Sequence, residues 1–131
     1  MNREKQFILM AIQEAKKSDH KQKIGAIIFK GKRVISVGHN YSSRSVRSVT
    51  KRFCRWETSV HAEVSCILNA KRDLKGYNIL VIRINNQGKL MLAKPCKYCL
   101  AYLNHVQIKY CYYSDNGKIK KMKISEEEIY I

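Results

Sequence analysis

Acidic residues are scarce in this chain of 131 residues, which has 10 Asp and Glu against 26 Lys and Arg and a formal net charge of +16. Such an excess excludes a balanced surface and implies attraction to polyanions or to ligands that carry phosphate. A lysine-rich composition with no binding role explains the same numbers. Composition alone leaves both interpretations open.

Long apolar runs and low-complexity tracts are also missing from the sequence. No apolar stretch approaches the ~20 residues that cross a bilayer, and the polar residues 1–6 offer no apolar core for a signal peptide. We therefore expect no membrane partner and a soluble, intracellular protein, cytoplasmic with the nucleus not excluded. No repeat or linker divides the chain, so residues 1–131 are expected to form a single domain.

The five cysteines are an odd number, which excludes a fully paired disulfide framework and favours a reducing compartment. Cys96 and Cys99 have the spacing Cys-x-x-Cys. The other three, Cys54, Cys66 and Cys111, are expected to be free thiols. Cys66 and Cys111 are further expected to be buried as small apolar side chains.

Hydrophobic periodicity predicts an alternation of helices and strands. The predicted helices cover residues 3–17, 61–72 and 95–103, the last with Pro95 at its first position, where no amide hydrogen is needed. The predicted strands cover residues 24–29, 33–37, 77–84 and 108–114, with a fifth from residue 118. This order predicts the α/β class, in three layers, with helices flanking a five-stranded mixed sheet.

One imidazole and two thiols have the chemistry to hold a zinc ion, and they come from His61, Cys96 and Cys99. A structural zinc site closes with four protein ligands, whereas a catalytic site keeps one position open for water. Three ligands therefore favour catalysis. The spacing of Cys96 and Cys99 predicts sulfurs one turn apart at a helix N-terminus, which favours the thiolate form.

Glu63 follows His61 by two residues, so it cannot easily bind the same ion but can reach a water beside it. A carboxylate there can take a proton from the water and pass it to a leaving group. Simpler interpretations exist for each residue. The two cysteines alone are also typical of a redox pair, and His61 alone is typical of a helix cap or a core histidine.

The two motifs together, His61-x-Glu63 and Pro95-Cys96-x-x-Cys99, resemble the signature of the zinc-dependent cytidine and deoxycytidylate deaminase superfamily. The resemblance covers about residues 24–114. It implies the cytidine-deaminase-like three-layer fold, Zn²⁺ as cofactor, Glu63 as the catalytic residue, hydrolytic removal of a nucleobase amine, and a homo-oligomer, a dimer or larger.

The resemblance also implies where the substrate is held. Asn40, in the sequence Gly38-His39-Asn40, matches an asparagine that contacts the substrate sugar, although it also suits the end of a strand. Ala62, between His61 and Glu63, is included among the expected substrate contacts.

Residues 41–58 combine basic and aromatic side chains, and their only acid is Glu57. Cations of this kind can meet phosphates while aromatic rings stack on unpaired bases. We therefore include Trp56 among the substrate-binding candidates. The alternative is a solvated loop pinned to the core by its aromatics, with Trp56 as a wall of the pocket.

Three functions remain open at this point. The first is deamination of cytosine in a cytidine or deoxycytidine nucleotide, with one phosphate held by the basic loop. The second is deamination of cytosine or adenine within single-stranded DNA or RNA, including tRNA, which the +16 charge favours. The third is an inactive relative that binds nucleic acid and uses zinc for stability, against which the intact Glu63 argues.

Overall fold

The computed structural model describes residues 3–19, 21–42 and 59–124, and within them the chain forms three helices and eight strands. The helices are α1 (Arg3–Ala15), α2 (Ala62–Ala70) and α3 (Lys97–His105). The strands are β1 (Lys23–Lys30), β2 (Arg33–His39), β3 (Tyr41–Ser42), β4 (Ser59–Val60), β5 (Asn78–Ile84), β6 (Leu90–Met91), β7 (Tyr110–Asp115) and β8 (Lys118–Lys123).

The main sheet is mixed and has the strand order β2-β1-β5-β7-β8. Its pairs are antiparallel except for β5 with β7, which run parallel because α3 lies between them in the chain. The five predicted strands are all present. A sixth strand, the two-residue β6, pairs with β5 and was not predicted. Strands β3 and β4 form a separate pair.

Helices cover both faces of this sheet, so the predicted three-layer α/β architecture is confirmed. Successive residues of β5 point to opposite faces. Leu80 and Ile82 pack with Phe7 of α1 on one face. Ile79 and Val81 pack on the other face, within the hydrophobic core that contains residues of α2 and α3.

Two glycines let the helices approach the sheet closely. A Cβ at Gly25 would lie 2.1 Å from the carbonyl oxygen of Ala11 in α1, and a Cβ at Gly38 would lie 2.5 Å from the amide nitrogen of Cys66 in α2. Both distances are too short for a side chain. The glycines of β1 and β2 therefore fix the distances of α1 and α2 from the sheet.

The ends of all three predicted helices require correction. Helix α1 ends at Ala15 rather than residue 17. Helix α2 ends at Ala70 rather than residue 72, because Lys71 adopts the left-handed conformation of a helix end. Helix α3 starts at Lys97, after an extended Cys96 that serves as its N-cap. The prediction that Pro95 occupies the first helical position was therefore wrong, and Pro95 precedes the cap.

The basic segment 43–58, including Trp56 and Cys54, and residues 125–131 lie outside the described residues, so the predictions made for them have no structural counterpart. Within the described ranges, none of the helices combines the length and the apolar character needed to cross a bilayer.

Candidate metal centre and active site

Two helix N-termini bring the predicted metal ligands together. His61 is the N-cap of α2 and Cys96 is the N-cap of α3, and the two helices contact each other. Neither side chain bonds to the backbone of its own helix as a cap. Cys99 follows in the first turn of α3. The side chains of His61 and Cys96 approach each other between the two helix N-termini.

The two nitrogen–sulfur distances between the donor atoms fit a single zinc ion. The Nδ1 atom of His61 lies 3.5 Å from the Sγ of Cys99 and 4.0 Å from the Sγ of Cys96. All three donors lie within 4.8 Å of one another. Tetrahedral zinc with ordinary bond lengths separates nitrogen from sulfur by about 3.6 Å and sulfur from sulfur by about 3.8 Å. Within the described residues this is the only such group of three or more donors.

The two sulfurs differ in their electrostatic environment. A hydrogen bond from the Cys99 thiol, opposed in part by burial, lowers the pKa of the exposed Cys96 thiol to about 4. Burial first, and then the bond to Cys96, raise the pKa of Cys99 well above its ordinary value. The pair thus holds one thiolate in the metal-free protein, and a cation between the sulfurs would favour deprotonation of the second.

Glu63 lies in the first turn of α2 and is only 4% exposed. Burial raises the pKa of its carboxyl, an effect that the neighbouring His61 opposes, and the Cys99 thiol is within hydrogen-bonding reach. A carboxyl with a raised pKa can both accept and release a proton near neutral pH. Glu63, the carboxyl predicted from the sequence to transfer protons, therefore lies beside the three donors, in an environment suited to proton transfer.

A cavity of about 180 Å³ opens onto this centre. His61, Glu63 and Cys96 contribute to its wall, and β1 and β5 contribute Ile24, Val81 and Arg83. The remaining lining residues are Gln22, Leu92, Ala93, Lys94 and Pro95. The cavity thus combines the donors and the carboxyl with an apolar wall and two cations.

The cations Arg83 and Lys94 and the exposed Leu92 were not predicted to line the site. Arg83 is the one charged residue in the strand sequence Asn-Ile-Leu-Val-Ile-Arg-Ile. A charged residue within an otherwise apolar strand is a feature of the sequence from which Arg83 could have been predicted as a site residue. Lys94 directly precedes the cysteine motif, and nothing in its local pattern distinguishes it from the many other lysines.

Asn40 is buried at the end of β2 and does not line the cavity directly. Its Oδ1 accepts a hydrogen bond from the amide of Ile24 at 3.0 Å, and its Nδ2 donates to the carbonyl of Gln22 at 2.6 Å. These bonds hold two residues of the cavity wall. The predicted sugar contact stays a prediction beside this observed structural role.

The other two predicted substrate contacts are Ala62 and Trp56. Ala62 is fully buried and, among the described residues, is not part of the cavity lining. Trp56 lies outside the described residues. Cys66 and Cys111 are buried free thiols, as predicted.

Comparison with known sequences connects this geometry to a family. Residues 1–115 match the family described as the cytidine and deoxycytidylate deaminase zinc-binding region. An uncharacterized deaminase in the luxG 3′ region of Aliivibrio fischeri is 34% identical over 86 residues, which are 63% of this chain and 52% of that protein. The chain thus spans about half the length of this curated relative.

Solved structures share the fold at low sequence identity. The cytidine deaminase of Burkholderia pseudomallei superposes with a TM-score of 0.67 at 15% identity, covering 96% of this chain and 95% of that one. The dCMP deaminase of cyanophage S-TIM5 superposes with a TM-score of 0.63 at 20% identity, covering 86% of this chain and 84% of that one. The cytidine-deaminase-like fold predicted from the two motifs is therefore confirmed.

Proposed function

The chain belongs to the cytidine and deoxycytidylate deaminase family, and from this premise we propose that it is a zinc-dependent hydrolytic deaminase that converts the cytosine of a cytidine or deoxycytidine nucleotide to uracil. The observation that carries the proposal is the burial of Glu63 beside His61, Cys96 and Cys99. A site that only stabilised the fold would gain nothing from a buried carboxyl, because burial of a carboxyl is unfavourable.

His61, Cys96 and Cys99 would hold the zinc ion, and the distances from the His61 nitrogen to the two sulfurs fit its bond lengths. When bound, zinc lowers the pKa of water toward neutrality and so supplies a nucleophile at ordinary pH. The low pKa of Cys96 favours its role as ligand, since a thiolate rather than a thiol binds the metal.

Glu63 would move the protons of the reaction. It accepts a proton from the attacking water, donates it to the ring nitrogen of the base, and assists the departure of the amine as ammonia. Cytosine and water thereby yield uracil and ammonia. The raised pKa of Glu63 supports this role, because the carboxyl must return to the protonated form within each turnover.

Arg83 and Lys94 support a nucleotide as the substrate. Both line the cavity that Glu63 enters, and they bring two positive charges to a space of about 180 Å³. A phosphate is the substrate group that would pair with them, and an arginine can bind it through two parallel hydrogen bonds. The apolar Ile24, Val81 and Leu92 would contact the base or the sugar.

Deamination of a base within single-stranded DNA or RNA is the second candidate. The net charge of +16 favours it, because a single phosphate needs far less charge. Affinity for a polynucleotide would fall steeply with salt, whereas affinity for a mononucleotide would fall little. For either substrate, we propose that residues 1–131 form a single catalytic domain that assembles into a homo-oligomer.

The deciding experiment offers deoxycytidylate, cytidylate and a cytosine-containing single-stranded oligonucleotide to the zinc-loaded protein, with product detection by mass spectrometry. Conversion of the mononucleotides alone supports the proposal, and conversion of the oligonucleotide alone selects the second candidate. Glu63→Gln keeps the size of the side chain and should abolish turnover while zinc content stays unchanged. Full activity of Glu63→Gln would overturn the role of Glu63.

Arg83→Gln and Lys94→Gln test the phosphate contact. Arg83→Gln should raise KM for deoxycytidylate by about tenfold, and Lys94→Gln, a change at an exposed residue, by about threefold, while the turnover of unphosphorylated deoxycytidine stays unchanged. Arg72→Gln is the matched control, since it removes a charge from an exposed residue that does not line the cavity.

A further inference from the structure

The face of the sheet opposite the candidate zinc site carries a second cavity, of about 400 Å³, which is larger than the cavity at the zinc site. Helix α1 packs on this face against β1, β2 and β5. Adjacent residues of β5 separate the two cavities, because Leu80 lines one and Val81 lines the other. The lining of the larger cavity consists of Glu4, Phe7, Ile8, Phe29, Gly31, Leu80, Tyr112, Ile119 and Lys121.

Two rows of laterally paired residues run across this face from β1 to the edge strand β8. Each row contains a tyrosine on β7 and ends in a lysine on β8. The rows are Phe29, Asn78, Tyr110 and Lys123, and Ile27, Leu80, Tyr112 and Lys121. We call these eight residues the tyrosine face. The register sets aromatic rings beside cations along the open half of the sheet.

The rings and the cations of the tyrosine face are in contact. The Nζ of Lys121 lies 4.1 Å from the ring centroid of Tyr110 and 5.6 Å from that of Tyr112. Lys109, which directly precedes β7 and is not one of the eight residues, adds a third cation, with its Nζ 5.5 Å from the Tyr110 centroid. The rings of Phe29 and Tyr112 are 5.9 Å apart. Both tyrosines are only half-buried and the lysines are exposed, so a ligand can reach them from solvent.

Asn78 adds an unmet hydrogen-bonding requirement to this face. Its Oδ1 is buried and, within the described part of the chain, accepts no hydrogen bond. Asn78 pairs laterally with Phe29 on one side and with Tyr110 on the other. A buried acceptor without a donor is unfavourable. If the Asn78 side chain turns toward a base stacked on the neighbouring Tyr110, the ring N–H or exocyclic amine of that base supplies a donor.

We propose that the tyrosine face binds single-stranded nucleic acid, with bases stacked on Tyr110 and Tyr112 and phosphates beside Lys109, Lys121 and Lys123. Stacking of a base on an aromatic ring is stronger than an exposed cation–π contact, so a base can displace the lysine over the ring while the lysine turns to a phosphate. Lys109, Lys121 and Lys123 are exposed beside the two tyrosines, and their positive charge, like the chain's net charge of +16, complements a polyanion.

Lysines on an edge strand also prevent edge-to-edge pairing of sheets, which is a reason for their presence without any ligand. Strand β8 offers an internal test of the two explanations. Lys118 lies on the same strand, but the residue paired with it laterally on β7 is Asp115, so Lys118 is not part of the two rows. The residue paired laterally with Lys121 is Tyr112. If the lysines only protect the sheet edge, Lys118 and Lys121 should be equivalent. If the tyrosine face binds nucleic acid, binding should depend on Lys121.

The test uses fluorescence anisotropy with labelled oligothymidylate and oligouridylate of about 12 nucleotides, a length that several stacked bases require. Neither probe has an exocyclic amine, so neither is a deamination substrate and the outcome does not depend on the proposed function. Tyr110→Leu and Tyr112→Leu should each weaken binding at least about fivefold. Lys121→Gln should also reduce the slope of log affinity against log salt by about 0.7.

Lys118→Gln is the matched control and should leave affinity within about twofold, and thermal unfolding by circular dichroism should show all variants folded. Saturating deoxycytidylate should not displace the probe. The proposal is overturned if an abasic oligonucleotide binds as tightly as oligothymidylate, or if Lys118→Gln and Lys121→Gln weaken binding equally. Absence of binding, or a change of oligomeric state in Tyr110→Leu without loss of affinity, also overturns it.

Discussion

Asn40 and Ile24 are joined by two hydrogen bonds, one from the amide of Ile24 to Oδ1 of Asn40 at 3.0 Å and one from the amide of Asn40 to the carbonyl of Ile24 at 3.2 Å. The Asn40 side chain also donates to the carbonyl of Gln22 at 2.6 Å. Gln22 and Ile24 both line the cavity at the candidate zinc site. The end of β2 therefore holds the wall of the cavity that β1 provides.

Asn40→Ala should lower the free energy of unfolding by about 2 kcal/mol, because two partly buried side-chain hydrogen bonds are lost and the backbone groups of Ile24 and Gln22 lose these partners. Chemical denaturation measures this loss. Asn69→Ala is the control, since Asn69 is exposed and makes one side-chain bond, to the carbonyl of Val37 at 2.9 Å, so its loss should stay below about 1 kcal/mol. Unchanged stability of Asn40→Ala with a raised KM would instead favour the sugar contact alone.

Gly38→Ala should both destabilise the protein and weaken the zinc site. The added Cβ would lie 2.5 Å from the amide nitrogen and 2.8 Å from the Cα of Cys66, so α2, which holds His61 and Glu63, must shift. We expect a loss of about 3 kcal/mol in unfolding free energy, together with weaker zinc binding by competition with a chelator.

Gly88→Ala is the control for this substitution. Gly88 has a φ of +79° with nothing near its Cβ position, so only backbone strain of about 1 kcal/mol is expected, with zinc binding unchanged. If Gly38→Ala and Gly88→Ala weakened zinc binding equally, the close approach of α2 to β2 would not be what positions the zinc ligands.

The local signals in the sequence predicted the order of the elements because each signal has a local physical cause. Gly31 and the pair Asn116 and Gly117 have positive φ values, and each lies in a turn that joins two of the predicted strands as an antiparallel pair. The start of α3 was less predictable. Cys96 has the extended backbone that is ordinary for an N-cap, but cysteine is not one of the residue types that usually mark this position.

The candidate site could be predicted only in part for a similar reason. His61, Glu63, Cys96 and Cys99 are visible because metal ligands need particular residue types at short spacings. Arg83 and Lys94 lie near these residues only because β5 pairs with its neighbours and the chain then returns to α3. The hydrogen bonds of Asn40 likewise join residues 16 and 18 positions apart, so the tertiary structure alone reveals them.

The thiols should differ sharply in reactivity once zinc is removed. Cys96 is exposed and has a pKa of about 4, whereas burial raises the pKa of Cys66 to about 12. Iodoacetamide should therefore label Cys96 at a rate that hardly changes between pH 6 and pH 8, although an ordinary thiol would react about a hundredfold faster at the higher pH. Peptide mapping should find Cys66 unlabelled in the folded protein, and added zinc should protect Cys96. Equal labelling of the two thiols would contradict the arrangement of the site.

Glu14 of α1 should make stability depend on pH. Burial alone raises the pKa of its carboxyl, but hydrogen bonds from Lys17 at 2.7 Å and from Nδ1 of His39 at 3.1 Å outweigh burial and lower the pKa below its ordinary value. A carboxyl with a lower pKa in the folded state stabilises the protein above its unfolded pKa, near 4.5, and this contribution is lost as the pH falls through the folded value. Glu14→Gln should thus cost about 1 to 2 kcal/mol at pH 7, and the difference from the parent protein should shrink steadily below about pH 4.5. Urea denaturation across this range measures both, with Glu4→Gln, a change at an exposed carboxyl of the same helix, as the control. A difference that stayed constant down to pH 3 would mean that packing, rather than the charge of Glu14, stabilises this contact between α1 and β2.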